Sequence, residues 1–261
     1  AAMQRISETE NHPFPERNGR AETLLDDFLR LARDSPETTA LVSYFSDKRE
    51  PVRLTYGRMA TLVDQLALKL LEFDVRPGDF VSFQFPNRWE FAIAHLATIR
   101  VGAISNPIMP IYGKREIRFM LERTRSRVCI GLNRYRSTET GKMLEALRSE
   151  LDDLEHLLLI DDENDAGSLE SQVGGIIVDE QNDAGSHEGQ VGGITATERA
   201  RRQLDARRPR AYDIEMILFS SGTTGEPKGV LHSFTSAYLA TSNSFDVMGM
   251  SDADVVLMFS P

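Results

Sequence analysis

The sequence predicts an α/β fold in which helices cover a largely parallel sheet. Three observations predict it. Apolar runs of strand length recur at Phe80–Phe85, Ala103–Asn106, Arg127–Gly131 and His156–Ile160. Segments whose apolar residues return at helical spacing lie between them, so the order is strand, helix, strand. Gly or Pro marks several of the joins, and a strand–helix–strand unit of this length runs its two strands parallel.

Residues 1–20 are polar and lack the apolar core of a secretory signal, and they are expected to form a flexible tail. Leu24, Leu25, Phe28 and Leu31 then form one helical stripe, closed before Pro36. Thr39–Phe45 and Val52–Leu54 flank a charged turn at Asp47–Pro51 and read as a hairpin. Thr55 can cap a helix over Tyr56–Phe73, whose face is Met59, Leu62, Val63, Leu66 and Leu70. Arg76-Pro77-Gly78-Asp79 breaks it, and Phe80–Phe85 follows as an alternating strand. A helix over Arg88–Arg100 carries Phe91, His95 and Ile99, and Gly102 ends it before the strand entered at Ala103. Helices over Lys114–Thr124 and Ser137–Leu151 alternate with strands at Arg127–Gly131 and His156–Ile160, completing an α/β subdomain over 21–160. His95 has no His or acid at metal spacing nearby and reads as a packed helix residue. The arginines of 115–136 read as a solvated helix face in preference to a phosphate site.

From 161 to 210 the composition shifts to Asp, Glu, Gly, Ser and Gln, and the chain nearly repeats itself. Asn164-Asp165-Ala166-Gly167-Ser168 returns as Asn182-Asp183-Ala184-Gly185-Ser186, and Gln172-Val173-Gly174-Gly175-Ile176 as Gln190-Val191-Gly192-Gly193-Ile194, a period of 18 residues. A calcium-binding nonapeptide repeat has a different spacing, and two copies do not build a solenoid. The segment reads as a duplicated surface insertion.

Residues 211–261 resume order around Ser220-Ser221-Gly222-Thr223-Thr224-Gly225-Glu226-Pro227-Lys228-Gly229, a loop between the strand runs Met216–Phe219 and Val230–Leu231. Its glycines let the backbone approach a ligand, its hydroxyls donate hydrogen bonds, and Lys228 brings a mobile positive charge. These are the parts of a polyphosphate cradle. The standard phosphate loop places Gly-Lys-Ser/Thr at a helix start, whereas here Lys228 stands three residues after Gly225 and precedes Gly229. A helix over Ser233–Val247 is expected to turn Phe234, Tyr238, Leu239 and Phe245 inward, followed by a strand at Val255–Phe259.

Composition bounds the function. The 261 residues are 41% hydrophobic and 27% charged, a globular balance with material for a sizeable core. A formal charge of −10 argues against nucleic acid or an anionic membrane as the general partner. The lone cysteine, Cys129, excludes a disulfide framework and suits a reducing cytoplasm. No run reaches the about 18 apolar residues of a membrane span.

The run Phe219–Val230 closely resembles the signature loop of the AMP-forming adenylating superfamily, which includes acyl-CoA synthetases, peptide-synthetase adenylation domains and luciferases. Ser82–Phe91 and Gly102–Pro110 look like the acyl-CoA synthetases, in particular the cyclohexanecarboxylate and medium-chain acid–CoA ligases. The resemblance covers most of 21–160 and 211–261 and leaves out the repeat. It implies the N-terminal large domain of an acyl-CoA synthetase, incomplete at its C-terminal side. It also implies a ligase of fatty-acid metabolism that turns a carboxylic acid and MgATP into an acyl-adenylate and then a CoA thioester. The cofactor-binding residues carried over are Ser220, Ser221, Gly222, Thr223, Thr224, Gly225 and Lys228. Lys228, Thr223 and Thr224 take the catalytic role on the leaving pyrophosphate, and Ser220 is placed beside the magnesium shell. The alternatives are an adenylation domain that loads a carrier thiol and a non-catalytic nucleotide-binding module. The family's downstream aromatic-Thr-Glu segment, ribose-binding Asp, hinge and catalytic lysine find no match before Pro261. The chain alone is therefore expected to lack activity, and association with a C-terminal part or another chain is expected.

Overall fold

The computed structural model describes residues 22–45, 50–161, 196–220, 227–251 and 253–258. The tail expected over 1–20, the repeat at 164–194 and the loop positions Ser221–Glu226 lie outside the described residues.

Helix α1 (Leu24–Asp34) begins on a capping box: the Asp26 amide donates to Thr23 Oγ1 (3.3 Å) and the Thr23 amide donates to Asp26 Oδ2 (2.8 Å). Leu25 and Phe28 enter the core, whereas Leu24, expected on the same stripe, is 47% exposed. Successive helix residues point about 100° apart, so two adjacent leucines cannot both face a narrow seam. The expected hairpin forms as β1 (Thr39–Ser43) antiparallel to β2 (Val52–Thr55), with the first strand stopping at Ser43. Thr55 ends β2 and caps α2 (Tyr56–Glu72), its Oγ1 accepting from the Arg58 amide (3.2 Å). The predicted face of α2, Met59 through Leu70, is buried as a set.

The main sheet has six strands: β3 (Phe80–Gln84), β4 (Ile104–Ile108), β5 (Val128–Leu132), β6 (His156–Ile160), β7 (Ile214–Phe219) and β8 (Gly229–Ser233). Their spatial order is β6-β5-β3-β4-β7-β8, and every neighbouring pair is parallel except β7 with β8. The largely parallel, helix-covered sheet read from the sequence is therefore the observed one. Helices α3 (Trp89–Arg100), α4 (Lys114–Thr124), α5 (Thr140–Arg148), α6 (Ala196–Asp205) and α7 (Phe234–Met248) connect and cover it. Helix α5 is shorter than its expected span of 137–151.

The pleat divides the core between the two faces of the sheet. Val81, Phe83, Val128, Ile130 and Leu132 pack with α1, α2 and α3, while Cys129 turns the other way to join Ile117, Met120, Leu144 and Leu147 of α4 and α5. Helices on both faces bury all five residues of β3 and of β5. The alternation expected for β3 is thus absent as a solvent pattern. Ser82, its polar position, is fully buried: Asn106 Nδ2 donates to Ser82 Oγ (2.7 Å), and the Ser126 hydroxyl lies 2.6 Å away.

Helix α6 lies inside the 161–210 stretch, and its end is tied to the α/β body. Buried Arg100 donates from Nη1 to Asp205 Oδ1 (2.8 Å) and from Nε to Asp64 Oδ1 (3.1 Å), while Arg207 Nη1 donates to the Val75 carbonyl (2.6 Å). Gly102, at φ +76°, lets the Arg207 carbonyl approach, since a Cβ there would stand 3.0 Å from that oxygen. The expected strand at Val255–Phe259 is corrected: its described part, Val255–Met258, forms no strand, and all four side chains are exposed. A strand needs a neighbour to complete its backbone hydrogen bonds, and no described strand pairs with it. Phe245, expected inward on α7, is exposed as well.

Among the described residues, no helix is long and apolar enough to cross a membrane. Burial pushes the Cys129 thiol up to about 12 from an ordinary value of 9.0. Because the folded state holds this proton more tightly, the thiol's contribution to stability is complete below pH 9 and is lost as pH rises toward 12. Alkylation of Cys129 by iodoacetamide at pH 9 should accordingly be about 10²-fold slower or more in the native chain than in the chain unfolded in guanidinium, as read by mass spectrometry.

Candidate phosphate-binding site at the carboxyl edge of the sheet

In an open parallel sheet, ligands collect at the carboxyl ends of the strands, where the connecting loops converge. Strand order reverses here at β3 and β4: the chain crosses from β3 to β4 on one side and then to β5 on the other. At that edge Gln84 Nε2 donates to the Met109 carbonyl (3.1 Å) and ties the two strand exits together. The Asn133 amide does the same for β5 and β6, donating to the Ile160 carbonyl (2.8 Å). Because β7 runs parallel to β4, the chain leaving Phe219 for Ser220 emerges at this same edge.

Two contacts seat the end of β7. Ile217 packs with Phe80 and Ile104, and the Phe219 ring meets the Phe119 ring of α4 edge-on, with centroids 6.3 Å apart. β8 returns antiparallel with Phe219 opposite Gly229. Gly229 has a steric reason to be glycine, since a Cβ there would stand 2.6 Å from Ile217 Cδ1 and 3.2 Å from Phe219 Cε1. The base of the loop is closed by two bonds between its ends. The Ser220 amide donates to the Lys228 carbonyl (3.0 Å), and the Lys228 amide donates to Ser220 Oγ (3.1 Å).

Of the seven positions expected to bind phosphate, Ser220 and Lys228 are described and stand at the two feet of the loop, both exposed. Ser221, Gly222, Thr223, Thr224 and Gly225 lie outside the described residues. Ser220 Oγ accepts from the Lys228 amide, which leaves its O–H as a donor. No described acid forms an ion pair with Lys228. Four basic residues between 114 and 127 contrast with it: Lys114 and Arg118 pair with Glu150, Arg125 with Asp153, and Arg127 with Asp74 and Glu155. Those pairs support the solvated-face reading of the arginines. Among the described residues, no three His, Cys, Asp or Glu side chains gather as a metal centre.

A model of the AMP-binding enzyme family matches residues 28–261. The chain belongs to the AMP-binding enzyme family. Similar proteins include a 2-hydroxy-7-methoxy-5-methyl-1-naphthoate–CoA ligase of Streptomyces carzinostaticus, 26% identical over 232 residues, which are 88% of this chain and 38% of that protein. The medium-chain fatty-acid–CoA ligase of Escherichia coli K12 is 24% identical over 240 residues, 92% of this chain and 38% of the ligase. The N-terminal domain of FACL13 from Mycobacterium tuberculosis has the same fold, with a TM-score of 0.61 and 24% identity over 86% of this chain and 48% of that one. The chain therefore spans well under half the length of the curated relatives it matches.

Sequence reasoning missed one cluster in this family member. His95 of α3, read as a packed helix residue, has Nδ1 2.9 Å from Ser105 Oγ on β4 and Nε2 3.1 Å from Glu215 Oε1 on β7. The available signal was Glu215 itself, a single acid inside the apolar run Ile214–Phe219.

Proposed function

We propose that this chain supplies the polyphosphate-binding part of an AMP-forming acid–CoA ligase. In that reaction a carboxylate oxygen attacks the α-phosphorus of ATP, the bond to the bridging oxygen breaks, and pyrophosphate leaves from the acyl-adenylate. The CoA thiol then takes the acyl group and AMP departs. The observation that carries the proposal is the loop base, where Ser220 and Lys228 are held by mutual hydrogen bonds at the carboxyl edge and Lys228 has no described ion-pair partner.

The adenylation step asks for positioning and for charge stabilisation on the leaving pyrophosphate more than for covalent help. The Lys228 ammonium and the Ser220 O–H suit that task. The backbone amides of Gly222 and Gly225 and the hydroxyls of Ser221, Thr223 and Thr224 take the same role between them. Magnesium, when bound with ATP, spreads the phosphate charge, and Ser220 is the residue assigned to its shell. The printed names of the relatives, a naphthoate–CoA ligase and a fatty-acid–CoA ligase, support a carboxylic acid as substrate and CoA as acceptor. A single buried free thiol supports a cytoplasmic location. The exposed apolar side chains of Val255–Met258 support association with further polypeptide. The boundaries 1–20, 21–160, 161–210 and 211–261 are retained as the proposed organisation, with α6 docked on the second unit.

Lys228→Ala, made in a longer polypeptide that turns over, should lower acid-dependent ATP–pyrophosphate exchange about 10²-fold, or ~3 kcal/mol of transition-state stabilisation. The acid dissociation constant should stay within about twofold. Equal losses in both would argue against a leaving-group role. The 261-residue chain by itself should show no exchange with any carboxylic acid; clear exchange in a radiolabel assay would mean that the chain holds the whole adenylation site.

A further inference from the structure

β7 carries the signature loop, yet its backbone pairing with β4 is confined to Ser105 opposite Met216, while β3 and β4 pair continuously from Phe80–Ile104 to Gln84–Ile108. Side chains bridge the same place. His95 reaches Ser105 with one ring nitrogen and Glu215 with the other, joining α3, β4 and β7 through groups that are almost wholly inside: Ser105 is fully buried and Glu215 is 2% exposed. A neutral ring that donates from Nε2 to the Glu215 carboxylate leaves Nδ1 free to accept from the Ser105 hydroxyl, so all three groups are satisfied.

A Ser-His-acid trio invites comparison with a hydrolytic triad. The geometry rejects that comparison, because a triad places serine on Nε2 and the acid on Nδ1, the reverse of what is seen. A nucleophile also needs access that a fully buried Ser105 lacks.

Hydrophobic burial alone does not fix the register of β7. Its two buried side chains are Glu215 and Ile217, while Leu218 is exposed and Ile214 and Met216 are half-buried. A one-residue slip turns every side chain of a strand to the opposite face. It would carry Ile214, Met216 and Leu218 inward and turn Glu215, Ile217 and Phe219 outward, an exchange of apolar for apolar groups that leaves the choice to the polar partner. Only the observed register places the Glu215 carboxylate against His95, and a buried acid that loses its partner is strongly destabilising. Because β7 and β8 pair from Ile214–Ser233 to Phe219–Gly229, the same slip would carry the hairpin, and Ser220 and Lys228 with it, to a different place on the sheet edge.

The geometry points to Glu215, His95 and Ser105 as a register key for β7, positioning residues that fix the feet of the loop, Ser220 and Lys228, for a nucleoside triphosphate. The ligand clause rests on the function proposed above; the register clause does not.

The test uses the 261-residue chain with Glu215→Leu, His95→Phe, their combination, and Glu215→Gln, which keeps an oxygen that can accept from Nε2. Amide hydrogen exchange reads the register clause, and calorimetric titration with MgATP reads the ligand clause. Glu215→Leu should speed exchange in 214–219 and 229–233 about 10-fold while leaving 80–84 and 128–132 as in the wild type, and should weaken MgATP about 10-fold. The double variant should lose no more than either single one, and Glu215→Gln should restore most of both readings. Should Glu215→Leu aggregate, Ser105→Ala removes a single hydroxyl and should speed exchange about 3-fold in the same two segments. Unchanged exchange in β7, or losses that multiply in the double variant, would overturn the key. Failure of the wild-type chain to bind MgATP would overturn the phosphate reading, with the exchange pattern still deciding the register.

Discussion

Parallel pairing of β3 through β7 is the constraint on which the rest of the structure depends. Parallel strands require crossovers, crossovers place helices on the faces, and a sheet so covered has its polar, changeable surface at the strand ends. The strand exits at Gln84, Ile108, Leu132, Ile160 and Phe219 therefore share one edge. Only β8 reverses direction, and it does so to close the signature loop on itself. The loop thus gains a hydrogen-bonded base at Ser220 and Lys228.

Electrostatics follow from that placement. In a chain of net charge −10 acids outnumber bases, and several basic groups of α4 and the turn after it are matched to acids. Arg118, Arg125 and Arg127 meet Glu150, Asp153, Asp74 and Glu155 on the exposed surface, where ion pairs are weak and screened by salt. Arg100 differs. It is buried between Asp64 and Asp205, so its pairs fasten α6 to the body at the point where the chain returns from 162–195.

What could be read from the sequence was whatever local periodicity encodes. The stripe of α2, the Thr55 cap and the parallel strand runs each follow from residues close together in the chain. What escaped depends on distant partners. Leu24 and Leu25 are equally apolar, and only packing chooses Leu25. Ser82 is buried because Asn106 and Ser126 satisfy its hydroxyl, which its own neighbours in β3 do not announce. Val255–Met258 has strand composition without a strand beside it among the described residues. The site divides in the same way: an ordered run of ten residues disclosed the loop, whereas the pairing of His95 with Glu215 joins residues 120 positions apart.

The central claim is that the hairpin joining β7 to β8 is a polyphosphate site. Its most direct measurement is amide chemical-shift mapping of the isotope-labelled chain during titration with magnesium pyrophosphate, with AMP as the control. The account predicts saturable shifts at Ser220 to Gly229, abolished by Lys228→Ala, while amides of β5 and β6 stay still and AMP alone leaves the loop unmoved. Shifts centred on another edge of the molecule, or none at the loop at saturating pyrophosphate, would contradict it.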